Sequence, residues 1–254
     1  MKPIRLVPVF FLVAVLAVGG AALADPSRVH VNEGSAERAI EIAQATVQAM
    51  GGWEAVDAAR FVSWKFFGHR QHYWDRHTGD IRIETESDGI STIILMNIHT
   101  KEGRAFKGGV ELGADELAET LEGGHQTWVN DAYWMFMPYK LLDPGVTLTY
   151  AGEKSTVAGN DAWVLELTFS DGVGYTPQNR YQVYVGKESG LVEQWDFFAD
   201  ASMDEPDFAS PWNDWKMFGR IKLATNHGRD LDWNIAVHDA FPPGLLTDPA
   251  VVAE

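Results

Sequence analysis

Three histidines stand close enough together to invite metal chemistry: His69-x-x-His72, followed by His77. Zinc takes imidazole nitrogens, and a strand or turn that gathers several of them is a natural place to look. On a strand, however, positions three apart point to opposite faces, so His69 and His72 do not share one ion. The group reads as surface strand and turn histidines. A second candidate is the acidic loop with Asp200, Asp204, Glu205 and Asp207, whose carboxylates would suit calcium. It lacks the Asp-x-Asp-x-Asp-Gly spacing of a calcium loop and reads as a solvated loop. No metal and no cofactor is expected.

A nucleophile is equally hard to find. The chain contains no Cys and no Gly-x-Ser-x-Gly elbow. Gly108-Gly109 and Gly123-Gly124 lack the Lys-Ser/Thr that a phosphate-cradling loop requires. Glu166 and Asp196 alternate with Trp163 and Trp195, which turns both carboxylates toward solvent. The acid pair of a glycoside hydrolase meets only in three dimensions, so a hydrolase of cell-envelope sugars stays open as an alternative.

What remains is an aromatic surplus of ten Trp, thirteen Phe and seven Tyr, ample for a core of this length. It is densest in WVNDAYWMFMPYK, Trp128 to Lys140. That run is too short to cross a membrane, which takes about 20 apolar residues in a helix. It must therefore pack against something inside the fold.

The elements that would position it follow from periodicity. Ser35 to Met50 carries Ala36, Ile40, Ala43, Val47 and Met50 at helical spacing, stops at Gly51-Gly52, and is followed by a short helical turn over Trp53–Ala59. From Phe61 the period drops to two, with turn signals at Thr78-Gly79-Asp80, Ser87-Asp88-Gly89 and Lys101-Glu102-Gly103. Two helices then interrupt, Ala114–Glu122 ending at Gly123-Gly124 and a second capped by Thr127 that ends near Pro138. Strands return after Pro144-Gly145. Trp163–Phe169, Tyr181–Val185 and Trp195–Phe197 alternate, and the cleanest strand patterns are a run from Trp215 to Leu223 and a run from Leu231 to Val237. One-sided alternation over many consecutive strands predicts an antiparallel meander with one dry face. The class is α+β: a strongly curved, unclosed antiparallel sheet, a half-barrel, with its few helices gathered across the concave face.

The first residues read as a secretory signal. Lys2 and Arg5 precede the apolar run Leu6–Val18, and Ala22-Leu23-Ala24 has the small-x-small form of a cleavage site. Cleavage would leave a mature chain starting at Asp25, periplasmic or secreted, with no stable membrane insertion. Residues 25–254 are expected to form a single domain. Losing Lys2 and Arg5 carries the formal charge from −16 to −18. Such a surface repels phosphate backbones and anionic lipid, which excludes nucleic acid as a partner.

The order of landmarks is distinctive: a helix ending Met50-Gly51-Gly52, a meander, then Asn130-Asp131-x-Tyr133-Trp134, Met137-Pro138-Tyr139-Lys140-Leu141 and Asp143-Pro144-Gly145, with a second meander from Val146. From Ser35 to about Val237 this resembles the periplasmic lipoprotein-carrier (LolA-like) superfamily, and within it a group of secreted proteins related to outer-membrane lipoprotein-sorting proteins. The resemblance implies helices lying over the mouth of the curved sheet and an apolar cavity that holds acyl chains or another hydrophobic ligand without catalysis. It also implies a polar residue that locks the lid helices, for which Arg70 and Arg76 both qualify. The acidic insertion Asp200–Asp207 departs from the small carriers.

The expected cavity residues are Val62, Trp64, Phe66, Ile81, Ile83, Trp128, Trp134, Phe136, Trp163, Leu165, Trp195 and Phe197. The same aromatic content would also serve a solid core, in an envelope interaction protein with an acidic rim. One curved sheet with only three helical segments has difficulty filling its own concavity, and this favours the cavity. The expected partner is a hydrophobic small molecule or lipid, with an envelope protein as a second possibility.

Overall fold

The computed structural model describes residues 31–229 and 231–253. The expected signal segment lies outside these residues. Helix α1 (Glu37–Ala49) turns at Gly51 into α2 (Gly52–Ala58). Gly51 sits at φ 119°, and a Cβ there would lie 2.4 Å from the Arg220 carbonyl oxygen, so both backbone angle and space demand glycine.

Six strands follow: β1 (Phe61–Phe66), β2 (Arg70–Asp75), β3 (Asp80–Ser87), β4 (Ile90–Asn97), β5 (Gly103–Lys107) and the short β6 (Val110–Glu111). The long helix α3 (Ala114–Phe136) comes next, continued by a 3₁₀ turn over Met137–Tyr139. The second half holds β7 (Val146–Ser155), β8 (Asp161–Phe169), β9 (Arg180–Gly186), β10 (Val192–Phe198), β11 (Phe208–Pro211), β12 (Asn213–Phe218), β13 (Ile221–Asn226) and β14 (Ala236–His238).

The α+β class and the open antiparallel sheets are as the sequence indicates. Hydrogen bonding divides the meander into a seven-stranded sheet, β14-β1-β2-β3-β4-β5-β6, and a five-stranded sheet, β11-β10-β9-β8-β7, with β12-β13 as a separate hairpin. Helix α3 bridges them. Leu121 packs on Ile81, Ile83, Ile94 and Met96 of the first sheet, and Met135 and Phe136 join Val62, Trp64 and Phe66. Trp134 touches that cluster and also the core of the second sheet around Trp195.

Three local expectations need correction. Gly123-Gly124 does not end a helix: α3 is 23 residues long and Thr127 lies in its interior. A Cβ on Gly124 would stand 2.8 Å from Ile94 Cδ1, so the glycine serves close approach of helix to sheet. The run Trp215–Leu223 is not one strand, because Gly219 at φ 59° reverses the chain and pairs Phe218 with Ile221. Of Leu231–Val237, only the end enters a strand, Val237 pairing with Val62. Asn234 at φ 42° breaks the pattern before it. Trp233 is nonetheless buried, and its carbonyl accepts a hydrogen bond from the Lys65 N–H at 2.6 Å.

Candidate functional site

Strand register builds the aromatic wall. Phe197 pairs with Tyr181 across β10 and β9, and with Phe208 across β10 and β11. With a period of two, Trp195 shares that face. Cross-strand aromatics on one face stack or meet edge to face: Tyr181 and Trp195 lie 5.0 Å apart at 22°. Helix α3 lays Trp134 edge-on to Trp195, centroids 4.6 Å apart, and Tyr133 against Tyr181 at 5.7 Å.

Between α3, this wall and the β8–β9 loop lies a cavity of about 640 Å³. That is within the usual range for a site holding a small molecule, about 300–1,000 Å³. Its apolar body is closed at one end by Lys140, Asp143 and Pro144 and edged by Thr176 and Asn179, whose Nδ2 donates to Thr176 Oγ1 at 2.9 Å. Lys140 and Asp143 form an ion pair.

Of the twelve expected cavity residues, Trp128, Trp134, Phe136, Trp195 and Phe197 line this space. Val62, Trp64 and Phe66 lie in the cluster beneath α3, Ile81 and Ile83 in the first sheet's aliphatic cluster, and Trp163 and Leu165 in or against the second sheet's core. Sequence reasoning missed Trp74, Tyr133, Phe169, Tyr175 and Phe208, which also line the cavity. Tyr181 was visible in the alternation of its strand. Tyr133 was visible in the Trp128–Lys140 run, but a helix face cannot be assigned without knowing what it meets.

An ionic knot fixes α3 to β2. Arg70 donates to both oxygens of Asp131, Nε to Oδ2 at 2.7 Å and Nη2 to Oδ1 at 2.8 Å. His72 Nε2 lies 2.8 Å from Oδ2, and Asn130 Nδ2 donates to Oδ1 at 2.9 Å. Asp131 is fully buried. Burial pushes its pKa up, but the bonds from His72 and Arg70 outweigh that and hold it low. Burial lowers the pKa of His72 despite the pull of Asp131, so His72 is neutral at pH 7 and donates its Nε2–H. This corrects the reading of His72 as a surface residue: it is buried and stacked on Trp64, centroids 4.5 Å apart at 8°. Arg70 thus engages the long helix, whereas Arg76 donates to the carbonyls of Val56 and Ala59 around the end of α2.

A second polar cluster sits at the cavity mouth. Tyr175 Oη meets His125 Nδ1 at 2.6 Å and Glu122 Oε1 at 3.0 Å, both on α3. Lys101 Nζ donates to Tyr175 Oη and to Glu122 Oε2, each at 3.1 Å. The β8–β9 loop is thereby tied to the helix and to the β4–β5 turn.

The remaining candidates separate. His69 bonds the carbonyl of Phe67 and meets Arg70 Nη1 at 3.0 Å through its Nε2, and His77 bonds the carbonyl of Asp57. Among the described residues no cluster of three His, Cys, Asp or Glu could hold a metal ion. Asp200 accepts from Ser202, and Asp207 from the Ala199 N–H. Glu166 accepts from Arg180 at 2.7 Å. Asp196 is not turned to solvent as expected: it is buried, accepting from the Tyr184 hydroxyl at 2.8 Å and from Gln194 Nε2 at 2.7 Å. The neighbouring Tyr184, Ala162 and Val164 form a small apolar cluster of their own, which explains the burial.

No family model and no curated protein matches the chain. Among solved structures it is similar to a DUF1329 family protein from Desulfovibrio piger, with TM-score 0.42 and 12% identity over 82% of this chain and 96% of that one. A domain from Vibrio parahaemolyticus described as an outer membrane lipoprotein-sorting protein domain gives TM-score 0.41 and 9% identity, covering 83% and 97%. A chain of the MucA/MucB complex from Pseudomonas aeruginosa gives TM-score 0.25 and 16% identity, covering 80% of this chain and 67% of that one. All three scores lie below 0.5, so function has to be read from the chain's own cavity.

Proposed function

We propose that this protein is a non-catalytic binding or carrier protein of the cell envelope that holds a hydrophobic ligand between helix α3 and the five-stranded sheet. The observation that carries this reading is the cavity itself: about 640 Å³, walled by Trp134, Trp195, Phe197 and Phe208. Removing apolar ligand surface from water there contributes about 25 cal/mol per Å², the main favourable term for an apolar guest. The polar groups near the mouth are bonded to one another, which suits holding and releasing better than bond breaking. Export with cleavage before Asp25 places the protein in the periplasm or outside the cell. Among the described residues no helix is long and apolar enough to cross a membrane.

Native mass spectrometry of the protein purified without detergent from its own host tests the reading. A hydrophobic adduct in one-to-one ratio, lost on solvent extraction and replaced by an environment-sensitive apolar dye, is the expected result. A bare chain that ignores every apolar dye would overturn it.

A further inference from the structure

The wall of the cavity is chemically unlike the rest of the core. Of its 23 lining residues, eleven are Trp, Tyr or Phe, and none is Leu, Ile or Met. The chain does not lack such side chains: Ile81, Ile83, Ile94, Met96 and Leu121 fill the first sheet's cluster. Flexible unbranched or branched aliphatics mould themselves around a flexible guest, methionine above all. Aromatic rings present flat, stiff faces and reward another ring with offset or edge-to-face contact. On this wall Trp134 and Phe208 lie parallel to within 7°, centroids 6.3 Å apart, and Phe208 is 43% exposed.

Taking the carrier reading as its base, we infer that the ligand is a flat, ring-containing hydrophobic molecule rather than a flexible acyl chain. Its ring system lies against Trp134 and the five-stranded sheet.

Fluorescence titration of the purified full chain with two dyes tests this: Nile red, a flat fused ring carrying oxygen, and cis-parinaric acid, a flexible acyl chain. Nile red is expected to bind at least tenfold tighter. Phe208→Leu, a change at the exposed rim that keeps the fold, is expected to weaken Nile red about threefold to tenfold, the range one lost ring pair gives, and to leave cis-parinaric acid unaffected. Tighter binding of cis-parinaric acid, or equal losses for both dyes in Phe208→Leu, overturns the inference while leaving a carrier in place. Failure of both dyes to bind overturns the carrier reading and the inference with it.

Discussion

Helix α3 has two sides, and they are built differently. Toward the seven-stranded sheet it is sealed: Gly124 lets the backbone come close to Ile94, Leu121 enters an aliphatic cluster, and Asp131 is tied to Arg70 and His72. Toward the five-stranded sheet only rings reach across, with Tyr133 and Trp134 meeting Tyr181 and Trp195. The space they leave is the cavity. The helix thus belongs structurally to the first sheet and leaves its other side open to the gap before the second. On the carrier reading proposed above, affinity for a guest is tuned on one side without loosening the other.

The sharpest way to break this asymmetry is Asp131→Ala. It leaves Arg70 and His72 facing a buried hole, and removing one partner of a buried pair costs roughly 3–5 kcal/mol. The midpoint of urea unfolding should fall accordingly. A midpoint close to wild type would mean that α3 is not anchored through this knot.

Acid should attack the knot and a second buried histidine. His227 is packed between Trp212 and Trp233, centroids 4.4 and 4.7 Å away, and burial lowers its pKa from 6.5 to about 3. His72 is also lowered by burial. The unfolded chain binds protons as pH falls through 6.5, while folded His227 refuses its proton until near pH 3. Stability is therefore complete above 6.5 and drains away below it, by about 1.4 kcal/mol per pH unit for His227 while only the unfolded form is protonated, and His72 adds a loss in the same direction. Asp131, held low when folded, adds a loss in the same direction at more acid pH. Urea midpoints measured between pH 7 and 4 should decline steadily, and His227→Gln should make the decline shallower. An unchanged slope in that variant would show that His227 takes up its proton while folded.

How much of this asymmetry is written in the sequence depends on the range of the interactions. The five-stranded sheet was legible because Trp163–Phe169, Tyr181–Val185 and Trp195–Phe197 alternate cleanly, and their aromatic face follows from period two alone. The knot was not: Asp131 lies 61 and 59 residues from Arg70 and His72, and on strand β2 no alternation announces that His72 points inward. Gly123-Gly124 misled for a related reason. A glycine that stops a helix and a glycine that lets a helix touch a sheet look identical until Ile94 is seen beside it. Asp196 shows the limit of alternation itself, since the face opposite the core is also covered there.

On the open side, Trp134→Ala probes the ring that touches both sheets. It is half-buried and lines the cavity, so a bound apolar dye should weaken tenfold or more, as anchor aromatics carry roughly 2 kcal/mol. Unfolding should shift less than for Asp131→Ala. A loss of the 3–5 kcal/mol typical of a deleted core aromatic, with no effect on dye binding, would move Trp134 from the cavity wall into the load-sharing core.

The smallest effect belongs to the mouth. Tyr175 places one hydroxyl among His125, Glu122 and Lys101, and its ring lines the cavity. Its oxygen carries one proton, so it donates to one neighbour at a time and accepts from Lys101. The cluster is a tether of the β8–β9 loop rather than a source of fold stability, because exposed polar contacts contribute little to folding. Tyr175→Phe keeps the ring and deletes the hub. The urea midpoint should stay where it is, equilibrium dye affinity should change little, and release should speed up by about twofold to fivefold, since loosening a covering loop acts mainly on the off-rate. Stopped-flow displacement of a preloaded dye measures this directly. The tether also rests on exposed charges, so raising salt should speed release from wild type and leave Tyr175→Phe nearly unaffected. Identical release rates and identical salt responses in the two proteins would mean that the loop does not gate the cavity, and that the guest leaves by another path between α3 and the sheet.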